Sequence, residues 1–145
     1  VRHREYGKDD RLSEIGRQQM LRLAKQIKPY LEEQRVRVLT STAQRAVDSA
    51  KVLTKELKIK TFRRRNKLYY EICHHEQDSF VAFNLIIKEF ADVDTLVLMT
   101  HLEYVRDIPL LFGRIILGIN FERIVPEKGQ ARIIDCEAKT AIIIR

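Results

Sequence analysis

Two histidines in this chain stand directly behind residues suited to holding an anion. Arg2-His3 follows Val1, inside the opening stretch VRHREYG, and Thr100-His101 follows the apolar run TLVLM. Between them lies Thr40-Ser41, with Arg45 four residues after Ser41. These residue types suit phosphoryl transfer. A phosphoryl group carries its charge on peripheral oxygens, so its transfer is mostly positioning and charge stabilisation. Arginine stays protonated and donates through a planar fork. A neutral imidazole is a competent nucleophile when its second nitrogen is held by a hydrogen bond. A second, cationic histidine can hold a further phosphoryl oxygen, and an acid opposite His3 would protonate the leaving atom.

The elements that must position these groups follow from periodicity. Ser13 is a good N-cap for a helix carrying Met20, Leu23, Ala24, Ile27, Tyr30 and Leu31 at helical spacing. RVRVLTS is a short β-branched segment running into a turn, and Ala43, Ala46, Val47, Ala50, Leu53 and Leu57 mark a second helix. IKTF predicts a short strand, and residues 63–78 read as irregular. Asp78 or Ser79 caps a helix carrying Phe83, Ile86, Ile87 and Phe90. TLVLMT suits a strand covered on both faces. A helix is expected over roughly Asp107 to Leu117, with Pro109 in its first turn. ARIIDCEAKTAIIIR reads as two strands joined by a tight turn. Alternating strands and helices with apolar strands predict a three-layer α/β/α sandwich with a mostly parallel central sheet. Ligands of such folds bind beyond the carboxyl ends of the strands, which is where Arg2-His3, Ser41 with Arg45, and Thr100-His101 wait.

The same residues resemble the histidine phosphatase, or phosphoglycerate mutase-like, superfamily. That family's apolar strand and Arg-His-Gly appear as VRHREYG, with Arg4 at the glycine position. LSEIGRQQ at Leu12 to Gln19 is similar to Leu-Thr/Ser-x-x-Gly-x-x-Gln. LTSTAQRAVDSAKVL keeps Ser41, Arg45, Ala46 and Ala50 of the third motif, with Ser49 for threonine. LVLMTHLEYVRDI carries the final Thr-His. The four motifs stand in the family's order over most of the chain. The resemblance implies a phosphoglycerate mutase-like fold, with His3 as nucleophile and transient phosphoryl acceptor. It makes Arg2 and Arg45 phosphate ligands and His101 the second pocket histidine, and it implies neither metal nor organic cofactor. The family's acid corresponds to Glu71 in KLYYEICHHE, one residue out of register, with Glu76 also near; Glu71 is the choice made here. Ser41 either contacts phosphate or caps the following helix. Tyr69 and Tyr70 either line a substrate rim or pack. Residues 1–145 are expected to form a single histidine phosphatase domain, with most of its first strand, a short apolar stretch, upstream of Val1.

Composition narrows the partners. The chain has 145 residues, 45% hydrophobic and 32% charged, as in an ordinary globular protein. Its apolar runs are too short to cross a bilayer. The net charge of +7 favours anionic partners. Basic residues are spread out, the one dense run being RRRNK at Arg63 to Lys67, read as a solvated loop rim over a binding patch, so nucleic acid is not favoured. Cys73 and Cys136 lack C-x-x-C spacing and fit a reducing cytoplasm. Adjacent histidines in CHHE point apart, and no second cluster completes a zinc set.

Only 56 positions separate Arg45 from His101, and they must also hold a strand and a helix. Little chain is left for a cap, which predicts an open pocket for a phosphorylated protein side chain or small ester. The expected activity is a metal-independent phosphatase like the SixA-type phosphohistidine phosphatases. The alternatives are a broad phosphomonoesterase or sugar-phosphate phosphatase, or a non-catalytic basic relative binding phosphorylated or nucleic-acid ligands.

Overall fold

The computed structural model describes residues 10–69 and 75–145, without the side chains of residues 75–78. A parallel sheet is ordered β2-β1-β3, from β1 (Val36–Thr40), β2 (Arg63–Arg64) and β3 (Thr95–Met99). β1 pairs with β3 along its whole length, from Val36 opposite Thr95 to Thr40 opposite Met99. An antiparallel hairpin follows, β4 (Ala131–Asp135) against β5 (Thr140–Ile144), as the terminal apolar pair predicts. Its turn is closed by the Asp135 carboxylate, which accepts from the amides of Glu137 and Ala138.

The two-residue period of the strands explains the layers. Val38, Val97 and Met99 face one core, with Met20, Leu23, Ala24 and Ile27 of α1 (Glu14–Ile27) and Ala50 and Leu53 of α2 (Gln44–Glu56). Leu39, one residue on from Val38, faces the other core. There it meets Ala82, Phe83 and Ile86 of α3 (His75–Phe90) and Tyr104, Ile108 and Phe112 of α4 (Leu102–Phe112). Helices therefore flank both faces of a parallel sheet, as the sequence predicts.

Several boundaries differ from expectation. α1 is capped by Ser13, whose Oγ accepts from the Gly16 amide at 3.1 Å, but it ends at Ile27. Pro29 follows in a 3-10 turn over Lys28–Tyr30, and Tyr30 is exposed. The chain at Ile59–Phe62 makes no strand. Ile59 and Phe62 pack on the first core, which accounts for their apolar pattern, but the backbone pairs with β1 only at Arg63 and Arg64. α3 begins at His75, so Asp78 and Ser79 lie in its first turn and do not cap it. α4 begins at Leu102, immediately behind His101, and Pro109 stands inside it. The π-helical turn Gly113–Leu117 that follows is the part of the expected helix that departs from α geometry. Cys136 is a free thiol, and Cys73 lies outside the described residues. Among the described residues no helix is long and apolar enough to cross a membrane.

RRRNK is an exposed rim at Arg63, Arg64, Asn66 and Lys67, but two of its arginines are paired. Arg63 Nη1 donates to Glu89 Oε2 at 2.9 Å and Arg65 Nε to Glu89 Oε1 at 2.8 Å. Arg37 donates to the Glu89 carbonyl at 2.6 Å and to both oxygens of Asp92. Glu89 is only 8% exposed, so one carboxylate ties the end of α3 to β1 and β2. Burial pushes the Glu89 carboxyl up, but hydrogen bonds and charge from Arg65 and then Arg63 outweigh it, leaving it below its usual value. Glu89→Ala is expected to cost about 2–3 kcal/mol in urea unfolding at pH 7, less than for a fully buried pair because the arginines remain partly hydrated. A carboxylate held below its unfolded value adds stability above pH ~4.5 that is lost as pH falls through its folded value. The difference between wild type and variant should therefore shrink on acidification below that point.

Candidate phosphoryl-transfer site

Ser41, Arg45 and His101 come together where β1 and β3 end. The ladder continues past Thr40 through a bond from the Ser41 amide to the Met99 carbonyl at 3.0 Å, so the residue after each strand is held in register with its neighbour. Arg45 lies in the first turn of α2 and His101 is the N-cap residue of α4. Arg45 Nη2 lies 3.3 Å from His101 Nδ1, and Ser41 Oγ lies 3.0 Å from His101 Nε2.

This geometry assigns the tautomer. A guanidinium has only donors, so Nδ1 facing it must be the acceptor. The ring proton then sits on Nε2 and is donated to Ser41 Oγ, which leaves the serine hydrogen free to donate elsewhere. Burial, followed by the positive charge of Arg45, lowers the His101 pKa to about 4, while Glu103 and Asp10 pull it the other way. Among its described neighbours His101 is therefore neutral at pH 7, in contrast to the cationic form expected of the second histidine. A phosphoryl dianion placed against it would add the negative charge that favours protonation.

Arg45 is held from its other side. Its Nη1 forms a salt bridge with Asp10, whose backbone sits in the left-handed region at φ 57°. The fork is thereby split, one nitrogen on Asp10 and the other beside His101. Asp10 was missed from the sequence, where it is one of two adjacent aspartates ahead of the Leu12 motif and carries no spacing signal. Ser41 does not cap α2: the N-cap position is Ala43, with no side-chain bond. Thr100 Oγ1 donates to the Leu68 carbonyl at 2.9 Å and so ties the end of β3 to the loop after β2. At the end of that loop Tyr69 packs its ring edgewise against His101, centroids 5.2 Å apart, and is 43% exposed.

Arg2, His3 and Glu71 lie outside the described residues, as do Tyr70 and Cys73, and the side chain of Glu76 is not described. The described arrangement sets a guanidinium and an imidazole side by side at the carboxyl edge of a parallel sheet, a pairing whose chemistry suits an anion. Among the described residues no cluster of histidine, cysteine and carboxylate side chains could hold a metal ion.

No family model matches the chain, and no curated protein matches it in sequence. Solved structures do match in fold. The mycobacterial glucosyl-3-phosphoglycerate phosphatase aligns with a TM-score of 0.59 at 15% identity, over 79% of this chain and 77% of its own. The Agrobacterium tumefaciens protein provisionally named phosphohistidine phosphatase SixA gives 0.59 at 16% identity, over 77% and 73%. Phosphoglycerate mutase from Plasmodium falciparum gives 0.60 at 16% identity, over 100% of this chain and 86% of its own.

Proposed function

This chain has the fold of the histidine phosphatase, phosphoglycerate mutase-like proteins, and on that premise we propose that it is a phosphoryl-transfer enzyme, a metal-independent phosphatase working through a phosphohistidine intermediate. The observation that carries the proposal is the meeting of Arg45, Ser41 and His101 at the carboxyl edge of the parallel sheet. Ligands of parallel α/β sheets bind beyond that edge, and the side chains gathered there suit a phosphoryl group. His3, with Arg2 beside it, supplies the nucleophile in the motif order read from the sequence.

In the first step a His3 nitrogen attacks phosphorus, the bond from phosphorus to the leaving atom breaks, and the leaving group departs with a proton. Glu71 is the proposed source of that proton for an alcohol leaving group; a protonated imidazole leaving group brings its own. In the second step water attacks phosphorus, the electron pair of the P–N bond returns to His3, and inorganic phosphate leaves; the water's proton returns to Glu71 after ester cleavage and stays on the phosphate after phosphohistidine cleavage. Arg45 and His101 act in both steps by matching charge on the non-bridging oxygens.

The preferred substrate is a phosphorylated protein side chain, phosphohistidine first. A substrate panel tests this: phosphohistidine peptide, aryl phosphate, glycerol phosphate and 3-phosphoglycerate, with release of inorganic phosphate as the readout. Phosphate release with the highest kcat/KM on phosphohistidine is the expected result. Mutase exchange without net phosphate release, or no reaction with any of the four, would exclude the phosphatase assignment.

A further inference from the structure

Tyr69 is placed by its surroundings more firmly than an exposed side chain usually is. The residue before it, Leu68, is fully buried against Leu39, Phe83 and Tyr104. The Leu68 carbonyl accepts from Thr100, the residue next to His101. The Tyr69 amide donates to the Asn66 carbonyl at 2.8 Å, and the Arg65 amide to the Thr40 carbonyl at 2.8 Å. The loop is thus pinned at both ends to the strand ends that carry Ser41 and His101. Pinning leaves the Tyr69 ring standing against the His101 ring with nearly half its surface open. A packing role alone does not account for this: a tyrosine serving the core would be buried, and one without a role would not need its loop bonded to the ends of both β1 and β3.

We infer that Tyr69 is a leaving-group contact of this site, selecting phosphoryl donors whose leaving group is a flat ring, the imidazole of a phosphohistidine side chain, over alkyl esters. The inference rests on the phosphoryl-transfer reading above. With a phosphoryl group bound beside Arg45 and His101, a leaving group that reaches over the His101 ring meets Tyr69, whose ring centroid lies 5.2 Å away. A planar π system there meets an aromatic ring and gains stacking or edge contact. An alkyl chain gains only part of that contact.

The preference is read in two ways, so that failure of the site reading and failure of this inference can be told apart. Binding of phenylphosphonate and methylphosphonate, which carry no bond to hydrolyse, is measured by calorimetry. Wild type should bind phenylphosphonate about threefold to tenfold more tightly, a range set by the worth of one aromatic pair. Tyr69→Leu should close that gap and leave methylphosphonate affinity within a factor of two, while Tyr69→Phe should keep it. In turnover, Tyr69→Leu should lower kcat/KM by the same factor on a phosphohistidine peptide and by less than half that factor on glycerol phosphate. Equal affinity of wild type for the two phosphonates overturns the inference. So does an equal loss on both ligands in Tyr69→Leu, because that is what a tyrosine merely supporting His101 would produce. A protein that distinguishes the phosphonates but turns over no phosphoryl donor refutes the catalytic reading and leaves the inference standing.

Discussion

His3→Ala is expected to remove turnover on every substrate, with kcat falling roughly 10³-fold or more, as loss of a catalytic nucleophile does elsewhere. Binding of inorganic phosphate should survive, since Arg45 and His101 carry most of that interaction in the proposed site. The chemistry gives a sharper measurement than the rate. A phosphorus–nitrogen bond to imidazole is labile in acid and survives base, whereas a phosphoserine ester behaves in the opposite way. Rapid quench of wild type into alkali should therefore retain label on the peptide containing His3, and quench into acid should lose it. The buried Ser41 hydroxyl is the nearest competing nucleophile, hydrogen-bonded to His101 Nε2. Label stable to acid and mapped to Ser41, with His3→Ala still active, would reverse the assignment. Glu71 is tested alongside: Glu71→Gln should slow alkyl ester hydrolysis and spare phosphohistidine, because only the ester needs a proton delivered to its leaving oxygen.

Arg45→Ala is expected to lower kcat/KM by about 10²–10³, the cost of losing one preorganised donor to a developing anion. The same substitution should move His101. Burial is the larger cause of its lowered pKa and Arg45 the second, so removing the guanidinium should raise the His101 pKa from about 4 part of the way back towards 6.5. Ring-proton NMR titration reads this directly, and an unchanged His101 would mean that burial alone sets the value. A linked effect follows for anion binding. An anion beside His101 raises its pKa, so within the window between the free and bound values binding takes up a proton. Affinity for sulfate, which does not titrate there, should strengthen as pH falls through that window and level off below pH ~4. In Arg45→Ala affinity should be weaker throughout, and the levelling should begin at a higher pH because the free His101 value has risen.

Much of the fold is local chemistry and was legible for that reason. Ser13 caps α1 because its hydroxyl reaches the Gly16 amide, and the 3.6-residue spacing of Met20, Leu23 and Ile27 places that face in the core. The apolar run before Thr100 became β3, with Val97 and Met99 buried in one core and Leu96 and Leu98 packed on the other, because its side chains are apolar on both faces. The meeting of Ser41, Arg45 and His101 was legible to the same extent: Ser41 and His101 come just after strand ends, Arg45 opens the helix after β1, and parallel strands put their ends together.

What failed was whatever depended on a partner far along the chain. Ile59–Phe62 has the composition of a short strand, yet a strand exists only where a neighbour's edge is in reach, and β1 offers one only at Arg63 and Arg64. The start of α4 was placed five residues late because Pro109 suggests a first turn, whereas packing of Tyr104, Val105 and Ile108 into the core holds a helix that already runs through it. RRRNK is the exposed rim that its charge density suggests, but the pairing of Arg63 and Arg65 is not readable there, because Glu89 lies 24 residues beyond Arg65 and meets them only when α3 packs on the sheet. The pairing of Asp10 with Arg45 shows the same dependence, because it forms only once the chain ahead of α1 reaches α2. Residue types and spacing determined which elements form and which groups gather at the sheet edge; burial and the approach of unlike charges, which exist only once the layers close, decided which of those groups is neutral, which is paired, and which aromatic ring stands beside the anion site.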